Sequence, residues 1–290
     1  MKKNLELIAI LILCITIITL VLTYVYGKIN ILVTLIVFAI TVGISFLIYL
    51  KKDITEEKIF LYIMPIILIM LVFSIPIVKN ADEIVHWHKV YDISQGNIIT
   101  KKSNGIGMGW VPESVRIIIP QNEINYEKVA EIYEREVNEN EEKVGVDLAT
   151  DAIYHPLTHA PQVLGILVAK IFTNKPVIMM YMARIFNAIC SFVLLYLAIK
   201  IIPYGKRIML LLTCIPVCAN SLASMSTDAL TISVAYLLIA YVLKLINEKQ
   251  KKIELKEKII LRSFVCYNLI MQNRIFTISG TYIAFTKRKI

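Results

Sequence analysis

The strongest constraint in the sequence is a series of apolar runs about 20 residues long, the length of helix that crosses about 30 Å of hydrocarbon. They fall at about 5–26, 30–50 and 60–78, and again at 176–202, 207–224 and 228–246. With 57% hydrophobic and only 18% charged residues, and a mean hydropathy of +0.68, the chain cannot cover a soluble surface with polar side chains. The five cysteines, Cys14, Cys190, Cys214, Cys218 and Cys266, all lie inside apolar stretches. They read as small buried hydrophobes, which excludes a disulfide scaffold and a paired-cysteine zinc site.

The formal net charge of +9 suggests a nucleic-acid binder only until it is split by position. Residues 79–158 hold 14 of the 22 acids and 8 of the 31 bases, so that stretch carries −6 and the rest of the chain +15. Bases gathered in short segments between apolar runs follow the positive-inside rule, whereas a nucleic-acid binder collects them on a polar domain. No nucleic-acid partner is expected, and the first partner is the lipid bilayer. Lys2 and Lys3 precede the first run and Lys51, Lys52 and Lys58 separate the second from the third. The N-terminus is therefore expected in the cytoplasm and residue 79 outside. The first run reads as a span and not a signal peptide, because its apolar core is too long and no small-residue cleavage site follows Tyr26.

These signals divide the chain into four segments. Residues 1–78 form three N-terminal transmembrane helices, and 79–158 an extracytoplasmic loop with an acidic motif. Residues 159–246 hold a re-entrant or interfacial helix near 160–172 plus three transmembrane helices, and 247–290 a basic cytoplasmic loop and a poorly matching C-terminal segment. The expected fold class is an all-α polytopic membrane protein of about six to seven transmembrane helices, with amphipathic helices in its large first outer loop. That loop is predicted to open with a helix capped by Asn80, with Glu83 as the capping-box partner and Gly96 at its end. Asn104-Gly105 reads as a turn, 115–119 as a short strand, and 123–142 as an acidic amphipathic helix with Ile124, Val129, Ile132 and Tyr133 inward. The stretch 259–285 is interrupted by Arg262, Asn268, Gln272, Asn273 and Arg274, and a seventh crossing would leave Lys287, Arg288 and Lys289 outside against the charge rule. A chain truncated at its C-terminus is the expectation that follows.

Chemistry concentrates at the outer loop and the helix ends beside it. Asp82 and His86 are four residues apart and Glu83 and His86 three apart, so on a helix they share a face. A carboxylate at the membrane surface can act as general base towards a hydroxyl, while the same two acids in a first helical turn also suit a capping role. Carboxylate plus imidazole is a ligand set that divalent ions accept, so a divalent metal stays open as a cofactor, and the residues do not decide whether one is needed. It is the weaker reading, since His86 and His88 point to different helix faces and Pro156 makes His155 and His159 look like a helix start. Arg184 lies eight residues into the fourth span, roughly 12 Å below the outer surface, with Asn187 on its face. Its guanidinium suits either a phosphate or an interhelical pair with an acid such as Asp228, which itself follows Ser226 and Thr227 at a helix start.

The order of these features resembles a bacterial membrane family called domain of unknown function 2142. The resemblance rests on Asp82-Glu83-x-x-His86 at the start of the first large outer loop, with Tyr91 and Gly96 after it, and on Tyr154-His155-Pro156 with Pro161-Gln162. Arg184-x-x-Asn187, Pro203, Pro216, Ser221, Ser224, Ser226 and Asp228 continue it, and it covers roughly residues 78–245. Asn80-Ala81 replaces the prolines that commonly precede the acidic pair. That family is similar to the GT-C glycosyltransferases, which take sugars from polyprenyl-phosphate carriers. The resemblance implies a GT-C-like fold in the bacterial cytoplasmic membrane, Asp82 as catalytic acid position with Glu83 beside it, and His86, His155, Arg184, Asn187 and Asp228 as substrate-binding positions. It implies as partners a polyprenyl-phosphate-linked sugar and a cell-envelope glycan acceptor. The alternative is a non-catalytic membrane protein that binds or translocates lipid-linked glycans.

Overall fold

The computed structural model describes residues 54–248 except 104–105, 119–122, 124–125 and 149–153, with residues 39 and 43 and a few positions of 255–266. The first two predicted spans and most of 259–285 lie outside the described residues. Helix α1 (Glu56–Ser74) rises through the bundle; its apolar run forms the span, and Pro65 is accommodated inside it. Helix α5 (Pro176–Ile201) runs back antiparallel, and α8 (Asp228–Asn247) crosses once more. These three helices are long and apolar enough to cross a membrane. The predicted span at 207–224 is instead two short helices, α6 (Lys206–Cys214) and α7 (Pro216–Leu222). The reason is Pro216, which has no N–H to donate and whose ring collides with the preceding turn, so the helix restarts with proline at its first position.

Two ion pairs tie the far end of the bundle, Lys206 to Glu57 and Arg207 Nε to Glu56 Oε1 at 2.9 Å. The opposite end of α1 meets the first turns of α5, and there the start of α2 and the loop before α8 join it at one end of the bundle. Phe60 stacks on Phe192 at 5.3 Å in the core between α1 and α5. A second core joins the 79–158 segment to the helices it packs on: Trp87, Tyr91, Val111, Val115 and Leu148 pack with Ile166, Met180 and Ala183.

The 79–158 segment is not all-helical, so the fold, expected as all-α, is mostly helical with one small sheet among the described residues. Helix α2 (Glu83–Ser94) packs on the sheet and on α4 (Ala160–Ala169). Strands β1 (Lys101–Ser103), β2 (Ile106–Pro112) and β3 (Lys143–Asp147) form an antiparallel sheet in that order. Ser103 pairs with Ile106, and the turn predicted at Asn104-Gly105 lies outside the described residues. Residues 115–118 are not a strand: a 3-10 turn (Glu113–Val115) leads into chain that pairs through His88 and not through a ladder, and 119 lies outside the described residues. The amphipathic helix is also shorter, α3 (Tyr126–Tyr133), with Ile132 buried but Tyr133 exposed. The chain after it runs to the turn between α4 and α5, where Val137 N–H donates to Asn174 O at 2.8 Å and Glu139 meets Lys170.

Candidate functional site

Between α1 and α2 the chain reverses through 75–82, and two non-glycine residues there take left-handed backbone: Val78 at φ 61° and Asp82 at φ 57°. Left-handed geometry is uncommon for any non-glycine residue and a true outlier for a β-branched one, so the turn is held by contacts elsewhere. What holds it is Glu83. Its carboxylate receives Arg184 Nε at 2.7 Å and Nη2 at 2.5 Å, and Oε1 also accepts the Met225 N–H at 3.2 Å. Both charged side chains are fully buried. The remaining guanidinium protons go to three carbonyls at the end of α1: Nη1 to Val72 O at 2.9 Å and Ile75 O at 2.8 Å, Nη2 to Pro76 O at 3.0 Å. All five donors of Arg184 are therefore engaged, and none is left for a phosphate in this state.

The acidic pair thus splits. Glu83 points inward, and the helix has no capping box because that carboxylate is spent on Arg184. Asp82 stands at the N-cap, exposed, with no side-chain bond to the helix it precedes. Arg184 finds its acid in Glu83 and not in Asp228. Asp228 is exposed as the first residue of α8, its N–H donating to Ser226 Oγ at 3.1 Å.

The loop at 224–226 is gripped from three sides. Asn187 Nδ2 donates to Ser224 O at 2.8 Å and Ser226 O at 3.0 Å, Gln162 Nε2 to Met225 O at 3.2 Å and Ser226 O at 3.4 Å, and Glu83 takes the Met225 N–H. Gln162 stood in the sequence only as a neighbour of Pro161; its role needed the contact 64 residues away. His86 is buried with its ring 5.9 Å from that of His159, beneath Asp82 on α2. The carboxylate that would complete a ligand set there, Glu83, has its oxygens taken by Arg184. Among the described residues no group of three or more His, Cys, Asp or Glu side chains is arranged to hold a metal. His155 is exposed; its Nδ1 accepts the Leu157 N–H at 3.2 Å and caps the 3-10 turn (Pro156–His159) that leads into α4.

Groups around the site titrate away from their ordinary values. Burial, with Arg116 nearby, holds His88 down to about 4, and neutral Nε2 accepts the Ile117 N–H at 3.1 Å. Burial pushes Asp92 up despite bonds from Asn97 and Trp110. Partial burial works to raise Glu139, but Lys170 and the Tyr91 hydroxyl outweigh it and hold that carboxyl low. Lys170 also lies 4.3 Å over the Tyr91 ring, so this cluster pins the outer segment to the end of α4. An apolar groove of about 790 Å³ opens between α4, α5 and α8, lined by Leu157, Leu164, Phe186, Leu194, Leu230 and Val234.

Residues 66–286 match the family model described as a predicted membrane protein, domain of unknown function 2142. The chain belongs to that family. The match runs further in both directions than the motif-bearing stretch of 78–245, taking in the second half of α1 from residue 66 and the segment after α8. No curated protein and no solved structure matches the chain. Some of the residues that carry the resemblance, Glu83, Gln162, Arg184, Asn187, Ser224 and Ser226, are joined by hydrogen bonds at this end of the bundle, whereas Asp82, His155 and Asp228 stand exposed beside them.

Proposed function

We propose that this protein is a membrane-embedded glycosyltransferase of GT-C type, moving a sugar from a polyprenyl-phosphate donor to a cell-envelope glycan. The observation that carries the reading is Asp82: an exposed carboxylate in left-handed backbone, presented by a turn that the buried Glu83–Arg184 pair locks from behind. In the proposed step an acceptor hydroxyl attacks the anomeric carbon, the bond from that carbon to the carrier phosphate breaks, and Asp82 takes the hydroxyl proton. Glu83 and Arg184 then serve as positioning residues. The groove between α4, α5 and α8 is wide and apolar enough for a polyprenyl chain, and its lining residues Leu157 and Leu230 follow His155 and Asp228 by two positions in the chain.

A second reading, a non-catalytic protein that binds lipid-linked glycans, is favoured by the internal bonding of Glu83, Arg184 and Asn187, which leaves fewer groups to meet a substrate. Asp82→Asn separates the two. Asn keeps the size and helix-start compatibility, so stability is expected to stay within ~1 kcal/mol. Loss of a general base typically lowers a rate by about 10² to 10⁴. Sugar transfer from a polyprenyl-phosphate donor, measured beside donor binding and melting temperature, should fall at least about 100-fold with binding intact. A variant that retains more than about a tenth of the rate refutes Asp82 as base.

A further inference from the structure

Three buried side-chain oxygens near the outer end of the bundle have no hydrogen-bond partner among the described residues: Gln162 Oε1, Asn187 Oδ1 and Ser191 Oγ. Each belongs to a side chain with 0% exposure. The amide orientations are not interchangeable, because a flip would set either carbonyl oxygen against backbone carbonyls of 224–226 in place of the N–H donors now there. Both amide nitrogens reach the same Ser226 oxygen, so the two amides are neighbours. Ser191 lies one turn further along α5 on the face of Asn187. Two of the oxygens thus belong to neighbouring amides and the third lies one turn along the same helix face, and the space these three side chains border is the candidate polar pocket.

Buried acceptors are almost always bonded, to protein or to ordered water, and inside a bundle at membrane depth no bulk solvent supplies the partner. We propose that one water molecule is a fixed component of this pocket. It donates its two protons to Gln162 Oε1 and Asn187 Oδ1 and accepts the Ser191 hydroxyl proton, which matches the roughly three bonds a buried water makes. A monovalent cation fits less well. The oxygens are neutral, and the nearby Glu83 carboxylate is already matched to Arg184, so a cation would lie in a low-dielectric site without a counter-charge. The water ties α4 and α5 to each other through the same amides that grip the 224–226 loop. It thereby fixes the loop that starts α8 and presents Asp228. This inference is independent of the glycosyltransferase reading.

The test is a density map of the full chain in lipid nanodiscs at about 2 Å, a resolution that shows ordered water, collected in sodium and again in rubidium. The expected result is a peak within about 2.6–3.2 Å of Gln162 Oε1 and Asn187 Oδ1, of equal height in both salts. Ser191→Ala should keep the peak, and Ser191→Val, whose added methyl occupies the same space, should remove it and lower the melting temperature below that of Ser191→Ala. Three results overturn the proposal: no peak, the two oxygens bonded to protein donors, or a peak that grows in rubidium and so marks a cation. A Ser191→Val protein as stable as Ser191→Ala also counts against it. The native-chain map decides even if Ser191→Val fails to fold.

Discussion

Replacing Glu83 by Gln keeps the side-chain volume and one acceptor oxygen but removes the charge that faces Arg184. A guanidinium cannot shed its proton in a protein, so Arg184 would remain charged with 0% exposure and no counter-ion. Breaking a buried pair from one side costs about 3–5 kcal/mol, a large share of the roughly 5–15 kcal/mol that stabilises a typical fold. At about 2–4 °C per kcal/mol for a chain of this size, the melting temperature should fall on the order of 10 °C. The double variant Glu83→Gln/Arg184→Met removes both charges and should recover part of the loss. Recovery is incomplete because the carbonyls of Val72, Ile75 and Pro76 lose their donors, at roughly 1 kcal/mol each. Thermal unfolding in detergent can be followed by the fluorescence of Trp87, which is buried in the second core next to the clamp. A Glu83→Gln midpoint within about 2 °C of the unaltered protein would refute the clamp, since that shift corresponds to less than about 1 kcal/mol.

His88 gives a pH dependence of definite sign: its proton is taken up near 6.5 in the unfolded chain and only near 4 in the folded one, so this contribution is full above 6.5 and is lost as pH falls towards 4. The loss is on the order of 3 kcal/mol, and His88→Gln should flatten stability across that window; equal pH-induced losses in both proteins would sink the assignment. Gly165→Ala places a Cβ against the Met182 carbonyl and 2.8 Å from the Ala183 Cα, backbone that cannot swing aside, so α4 and α5 must separate. A destabilisation of about 1–3 kcal/mol is expected, and an unchanged melting temperature would show that the helices do not meet there. Glu136→Cys, at an exposed position in the outer segment, should react with an impermeant thiol reagent on intact cells once the native cysteines are removed; labelling only after permeabilisation would reverse the proposed orientation.

Local pattern was enough wherever one segment's own chemistry decides its structure. The apolar lengths of 176–202 and 228–246 anticipate α5 and α8 almost to the residue, because a helix satisfies its backbone bonds internally whatever its neighbours do. The same logic missed the break at Pro216, where hydropathy is continuous but the hydrogen-bond ladder is not. It also missed the sheet, whose strands β2 and β3 pair across more than 30 residues of chain and depend on α2 for cover. At the candidate site the sequence identified Asp82, Glu83, Arg184 and Asn187 as residues of interest, since charges and amides beside or within apolar helices are few. It could not assign their roles. Two adjacent carboxylates have the same chemistry in one dimension, and only the left-handed turn at Asp82 sends one outward to solvent and the other inward to a guanidinium 101 residues away. Tertiary structure decided that division because a buried charge is tolerable only where its partner has been brought to meet it.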